Sequence, residues 1–340
     1  MEERKVIRWG LLGAGEIVHR WIKGARQVPD MEIVAVASRT RKRAAQIAEL
    51  YQIPQALIYE EMLKDPKIDI VYIPVPHMAH KELAIQAMQH GKAVLVEKPA
   101  AVNARDFAEM AAAAKEYQVF FMEAVWTKFF PLLTKIKSCL GENGIGQIRA
   151  MNLAFSFRTP VDSLKMRLFD PDQAGGGLLD VGVYNLHFAQ TLLGKNPVSL
   201  YGMASMNTDE HHLQVDEQAS YIAQYDQGEL VTMSSGIRTH MLDTAYIYGT
   251  LGYIIVPEFW KPTHMKVIIQ DQQTEISEPV PQHISGITDE GYQYEILHVN
   301  ECLRNGLLES PIVTWQNTGD VLQQCDQLRA QWGIRYPMEF

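Results

Sequence analysis

Val6-Ile7-Arg8-Trp9-Gly10-Leu11-Leu12, followed without a break by Gly13-Ala14-Gly15-Glu16-Ile17-Val18, reads as a buried strand that runs into a tight turn and then a helix. Glycines at 13 and 15 let the backbone turn sharply and approach a ligand closely. The free N–H groups and dipole at the start of the following helix favour an anion there. A bare Gly-x-Gly says little. Placed between a strand and a helix, it predicts the pyrophosphate cradle of a doubly wound α/β domain, with Gly13, Ala14, Gly15, Glu16 and Ile17 against a dinucleotide. Val18 stands where that pattern usually has a third small residue.

The next strand, predicted over 32–37, should end beside the adenosine ribose, where NAD-binding chains place an acid. This chain instead continues Ser38-Arg39-Thr40-Arg41, and the first carboxylate after it is Glu49. Arg39, Arg41, Lys42 and Arg43 offer charge-assisted hydrogen bonds to a 2′-phosphate, which favours NADP(H) over NAD(H). The competing reading is a solvated helix start, which suits Arg41, Lys42 and Arg43 better than Arg39. Ser38, Arg39, Thr40 and Arg43 are the expected contacts.

Further along, Ala93-Val94-Leu95-Val96 leads into Glu97-Lys98-Pro99. The carboxyl ends of parallel strands are where ligands and chemistry gather, so a lysine there is a candidate for function. The alternative is a structural Lys98 paired with a carboxylate. His77 and His80, three apart where the strand at 69–75 meets its helix, invite a zinc reading. The third and fourth ligands that zinc requires are missing nearby, so no metal is expected.

Up to about Trp126 the chain alternates short apolar runs with alanine-rich amphipathic stretches: a helix near 78–90, a strand at 92–96, a helix at 103–117 and a strand at 118–122. That alternation is the signature of a parallel sheet. After a helix at 131–140 the texture changes. Residues 151–157 alternate with period two, and 221–225 and 230–234 flank Asp226-Gln227-Gly228-Glu229 as a hairpin. Strands at 244–249, 253–256 and 265–269 follow, and 270–273 reads as an exposed loop. The expected architecture is α/β: a Rossmann domain over 1–126, then an α+β domain over 127–340 with an open, mostly antiparallel sheet. Helices near 289–305 and 317–332 return to cover one domain or the other.

In the second half, Gly175-Gly176-Gly177 precedes Leu178-Leu179-Asp180-Val181-Gly182-Val183-Tyr184. If 180–184 is helical, Asp180 and Tyr184 lie one turn apart on a single face. A glycine triplet can equally be turn chemistry, and a tyrosine at helical spacing is often core.

The 340 residues suffice for two domains, and a formal charge of -9 argues against nucleic acid as a partner. No apolar run is long enough to cross a bilayer, and the amino terminus lacks an apolar leader. Cys139, Cys302 and Cys325 match no metal or redox spacing, and His211-His212 sits in a polar stretch without a signal. A cytoplasmic location is expected.

Gly13-Ala14-Gly15, Glu97-Lys98-Pro99 and Asp180-Val181-Gly182-Val183-Tyr184, in this order, resemble the oxidoreductases typified by glucose-fructose oxidoreductase and inositol 2-dehydrogenase (the Gfo/Idh/MocA family). The stretch 123–131, with Tyr184 where others have histidine, looks most like the branch of trans-1,2-dihydrobenzene-1,2-diol and NADP-dependent D-xylose dehydrogenases. The resemblance implies catalytic Lys98 and Tyr184, homodimers formed through the open sheet, and a turn holding Pro74, Val75, His77 and His80 against the nicotinamide ribose. Glu97, Lys98 and Pro99 would border the coenzyme. An apolar pocket lined by Trp126, Phe155, Phe157 and Trp260 is also implied, with core packing the alternative for each.

The chemistry of these residues agrees with that expectation. Oxidising an alcohol requires a base for the hydroxyl proton while a hydride leaves. Tyrosine, with an ordinary pKa of about 10, is a poor base unless a cation within roughly 4–6 Å lowers it, the role expected of Lys98. Asp180 is expected to hold Lys98 or a substrate hydroxyl, and Arg167 to contact a substrate oxygen or pair with an acid. The expected substrate is a small vicinal diol or cyclic sugar. The alternatives are another sugar or polyol and a regulatory protein that senses NADP without turnover.

Overall fold

The computed structural model describes residues 5–160, 167–206, 215–280 and 291–339. It comprises two compact units, Met1–Trp126 with Pro281–Gly319, and Thr127–Val280 with Asp320–Phe340. His211-His212 lies outside the described residues.

In the first unit, β1 (Ile7–Leu12), α1 (Ile17–Ala25), β2 (Met31–Ala37), α2 (Arg41–Tyr51), β3 (Gln55–Leu57), α3 (Tyr59–Lys64), β4 (Ile70–Ile73), α4 (His80–Gln89), β5 (Ala93–Glu97), α5 (Ala104–Tyr117) and β6 (Phe121–Ala124) follow one another. The strands form one parallel sheet in the order β3-β2-β1-β4-β5-β6, the doubly wound arrangement. All of β4 and β6, and β5 up to Val96, are buried, as expected for parallel strands covered on both faces. The expected strand at 118–122 starts later, because Gln118 adopts a left-handed conformation that closes α5.

Residues 281–319, counted with the second domain in the sequence reading, cluster with the first unit. Packing explains this for the helix Tyr292–Arg304: the Trp9 indole N–H donates to its Asn300 at 2.9 Å within the buried core. A Cβ on Gly24 of α1 would lie 2.7 Å from Cβ of Tyr292, so the close approach of the two helices requires glycine.

The second unit contains α6 (Pro131–Ser138), β7 (Ile148–Ser156), a π-helical turn at Leu178–Gly182, α7 (Val183–Leu193), and β8 (Ser199–Met206), β9 (Asp216–Gln224) and β10 (Leu230–Gly236). It continues with β11 (Thr244–Gly249), β12 (Gly252–Pro257), β13 (His264–Ile269) and β14 (Gln272–Ser277). These strands form one sheet, β14-β13-β12-β11-β7-β10-β9-β8, antiparallel except where β7 meets β10. The expected loop at 270–273 is only a turn at Gln270 and Asp271, both at positive φ, and β14 begins at Gln272. Alternating burial along β9 and β10 gives the sheet one apolar face, and α7, buried from Val183 to Gln190, packs against it.

Helices α8 (Tyr292–Arg304) and α9 (Trp315–Trp332) close the chain order. Within the second unit α9 shields the edge strand β8: Gln331 accepts the Gly202 N–H at 3.1 Å and donates to the Leu200 carbonyl at 2.9 Å. Among the described residues, no helix is long and apolar enough to cross a membrane.

Candidate active site

In the first unit the turn after β1 is built around close backbone approach. Gly13 adopts φ 156°, and a Cβ there would lie 3.0 Å from Val75 and 3.1 Å from the Pro74 carbonyl. A Cβ on Gly15 would lie 3.2 Å from that same carbonyl. The turn thus nests against Pro74-Val75 at the end of β4 and keeps its surface low enough for a pyrophosphate at the start of α1, where the helix dipole favours an anion.

Beside it, a cleft of about 380 Å³ is bordered by Ala14, Glu16 and His19 on one side and by Thr40, Lys42, Arg43, Gln46 and Ile47 from the start of α2. His19, Gln46 and Ile47 were not foreseen, because each sits on a helix face whose partner is set by the sheet rather than by local sequence. The cations after β2 divide their work. Arg41 bonds to Glu61 and to the Ala56 carbonyl, and Arg43 donates to the Ala14 carbonyl at 3.1 Å. Arg39 is exposed and makes no hydrogen bond or ion pair among the described residues. Ser38, by contrast, is buried, its N–H on the Leu57 carbonyl at 3.3 Å. A dinucleotide with a 2′-phosphate fits this set: a glycine cradle, a helix start and an uncommitted guanidinium.

At the end of β5, Glu97 accepts the hydroxyl of Tyr72 and, at 3.2 Å, the backbone N–H of Lys98. The Lys98–Pro99 peptide is cis. Glu123 accepts the Ala100 N–H at 2.9 Å and the Thr318 hydroxyl at 2.8 Å, anchoring the loop that follows. His80 is fully buried, with Nδ1 2.9 Å from the Pro99 carbonyl and Nε2 2.8 Å from the Val75 carbonyl. It therefore ties the Pro74–Val75 turn to the Lys98–Pro99 segment, and His77 lies beside it at 5.8 Å between rings. Among the described residues no group of three His, Cys, Asp or Glu is arranged to hold a metal ion. Glu295 of α8 is fully buried, and burial together with the nearby Glu97 charge holds its carboxyl well above the ordinary range. Trp126 stacks on Tyr292 at 4.3 Å, with the Arg20 guanidinium 5.9 Å from its ring centre.

In the second unit, Tyr184 lies in the first turn of α7 and is 8% exposed. Its ring meets Phe155 edge-on at 5.3 Å, and Phe155 stacks on Trp260 at 5.0 Å. Phe259, unforeseen, joins them, 6.4 Å from Phe155 and 5.0 Å from Phe188. Phe157 lies past the end of β7, half-buried, its N–H on the Gly236 carbonyl at 3.0 Å. The structure therefore brings Phe155 and Trp260 to Tyr184.

Residues 180–184 are helical, but Asp180 belongs to the π-helical turn and Tyr184 to the α-helix that follows, so the pair does not span one regular α-turn. Asp180, nearly buried, accepts from Arg167 at 2.9 Å. Of the two readings of Arg167, the structure shows pairing with an acid.

Two family comparisons match this chain: an oxidoreductase family with an NAD-binding Rossmann fold over residues 7–125, and a Gfo/Idh/MocA C-terminal domain over residues 133–255. The trans-1,2-dihydrobenzene-1,2-diol dehydrogenase of Mus musculus is 33% identical over 338 residues, covering 98% of this chain and 99% of its own. Its counterpart in Xenopus laevis is 34% identical, with 97% and 99% covered. Among solved structures, a 3-ketoreductase from Actinomadura kijaniata, in complex with NADP and TDP-benzene, superposes with a TM-score of 0.84 at 21% identity over 96% of this chain and 98% of its own. A levoglucosan dehydrogenase, in complex with NADH and levoglucosan, superposes with a TM-score of 0.83 at 20% identity over 98% and 100%. Both likenesses concern the fold.

Proposed function

Because the chain belongs to the Gfo/Idh/MocA oxidoreductase family, we propose that it is an NADP-dependent dehydrogenase of a vicinal diol or cyclic sugar, of the trans-dihydrodiol or D-xylose type. The observation that carries the substrate class is full-length identity of about one third to dihydrodiol dehydrogenases. Phe155, stacked on Trp260 and met edge-on by the Tyr184 ring, supports it, since such an aromatic surface suits a hydrophobic ring or the apolar face of a sugar.

Bound NADP+ supplies the acceptor for the hydride that leaves the carbinol carbon. Tyr184 takes the hydroxyl proton as the C–O bond becomes a carbonyl, and later passes it to solvent. Lys98 favours the phenolate through its positive charge, and Glu97 fixes the backbone at Lys98. Asp180, held by Arg167, orients a substrate hydroxyl. Arg39, with Arg43, recognises the 2′-phosphate. We also infer a homodimer through the second sheet, where Tyr201, Met203 and Ile222 are exposed on one face. Sedimentation showing a monomer at working concentration overturns that.

The deciding experiment follows NADPH absorbance with D-xylose and with a trans-dihydrodiol for wild type, K98M and Y184F. Y184F loses at least about 100-fold in kcat, as general acid-base groups typically contribute, while NADPH affinity barely changes. Activity that survives both substitutions removes the mechanism. Inactivity towards every diol and sugar tried favours an NADP-binding sensor.

A further inference from the structure

The turn that carries Asp180 is held at both ends by a single strand. At its amino end, Asp216 accepts the Leu178 N–H on Oδ2 at 2.6 Å. At its carboxyl end, Tyr221 donates to the Gly182 carbonyl at 3.2 Å and accepts from Asn185 of α7 at 3.0 Å. Both side chains are buried and both belong to β9.

Five residues apart on a regular strand, two side chains would face opposite ways. Here the register shifts: Met206 pairs with Asp216 but Ser205 with Gln218, so Glu217 is an extra residue. That bulge turns Asp216 to the buried face shared by Ala219 and Tyr221. The glycine triplet is shaped to the same carboxylate. A Cβ on Gly176 would lie 2.3 Å from Asp216 Oδ1, and one on Gly177 would lie 3.3 Å from Oδ2.

We propose that Asp216 and Tyr221 are positioning residues, through which β9 holds Leu178–Gly182 in its π register and so sets the direction in which Asp180 and Tyr184 are presented. This rests on the reading of Tyr184 given above. A π turn holds one residue more than an α turn, so its collapse to α geometry rotates Asp180 against Tyr184 by about 100°. Nothing in Leu178-Leu179-Asp180-Val181-Gly182 itself prefers the wider turn, so the constraint comes from outside the helix. Asp216 is also placed at a cost to stability. It is fully buried, its Oδ1 has no partner among the described residues, and burial pushes its carboxyl up to about 7. The groups around it are Arg329 of α9, Tyr336 near the carboxyl end and Tyr221 of its own strand. Its bond to Leu178 at 2.6 Å is the contact through which it holds the turn.

The test compares wild type, D216A, D216N, Y221F and Y184F by amide hydrogen exchange over 175–190, NADPH titration and steady-state kinetics with D-xylose. In D216A and Y221F, amides 178–184 exchange at least about tenfold faster and kcat falls by a similar factor, while KM and the NADPH Kd stay within about twofold. D216N retains a side-chain acceptor for Leu178 and recovers most of both losses. Wild-type exchange in Y221F and D216A overturns the proposal, as does faster exchange with unchanged kcat in an active enzyme. Y221F decides the matter if D216A does not fold. Full activity in Y184F overturns the catalytic reading instead, and the exchange measurements then decide the bracing by themselves.

Discussion

Replacing Asp216 with asparagine changes how stability depends on pH, and burial of the carboxyl sets the sign. The folded carboxyl titrates at about 7 against 3.8 in the unfolded chain. Below about pH 4 both states hold the proton. Between about pH 4 and 7 the unfolded chain releases it while the folded chain keeps it, so stability falls as pH rises. Above about 7 both are ionised and the slope vanishes. At about 1.36 kcal/mol per pH unit, the span from 3.8 to about 7 gives a fall on the order of 4 kcal/mol. Arg329 does not cancel it, because its guanidinium is already shared with Glu339 at 2.8 Å and Asp326 at 2.7 Å. Asparagine keeps an acceptor and cannot ionise, so its own cost is the same at every pH. The assay is urea unfolding of both proteins from pH 4.5 to 8.5. Wild type loses stability relative to D216N by several kcal/mol up to about pH 7, a midpoint shift on the order of 1 M or more. Two curves that stay parallel across this range refute the buried, uncompensated carboxylate.

Three other outcomes are expected. R39D weakens NADP(H) binding by about 10- to 100-fold, as loss of a charge-assisted hydrogen bond implies, and leaves NAD(H) nearly unchanged; equal losses in a fluorescence titration remove the 2′-phosphate assignment. Glu295 keeps its proton in the folded state at pH values where the unfolded chain has lost it, so wild type is progressively destabilised above about pH 4.5. E295Q, compared by thermal melts at pH 5 and pH 8, should therefore gain more at pH 8; equal differences count against it. Y336F removes the hydroxyl that donates to the Gly175 carbonyl at 2.6 Å and costs about 1–3 kcal/mol, read as a lower urea midpoint.

The first unit was legible because its signals are local. A strand, a glycine turn and a helix within Val6–Val18 announce themselves in one window. What failed was non-local. β8 was overlooked because Ser199–Met206 mixes Gly202 and small residues with exposed Tyr201 and Met203, so it carries no apolar face of its own. The π turn has no sequence signature, since its braces arrive from β9 some forty residues later. The attachment of α8 to β1 rests on Trp9 and Asn300, nearly three hundred residues apart. In the second unit the pairing of Arg167 with an acid was one of two readings, and only the fold identifies that acid as Asp180.

The discontinuity of the first unit bears on synthesis. A nascent chain that has cleared the ribosome only as far as Trp126 holds every strand of the parallel sheet but neither Asn300 for Trp9 nor Thr318 for Glu123. Its core stays open while the second unit is translated, so completion waits for closure over a very long loop. Stalled chains of increasing length should acquire protease resistance in this half only after residues 281–319 emerge.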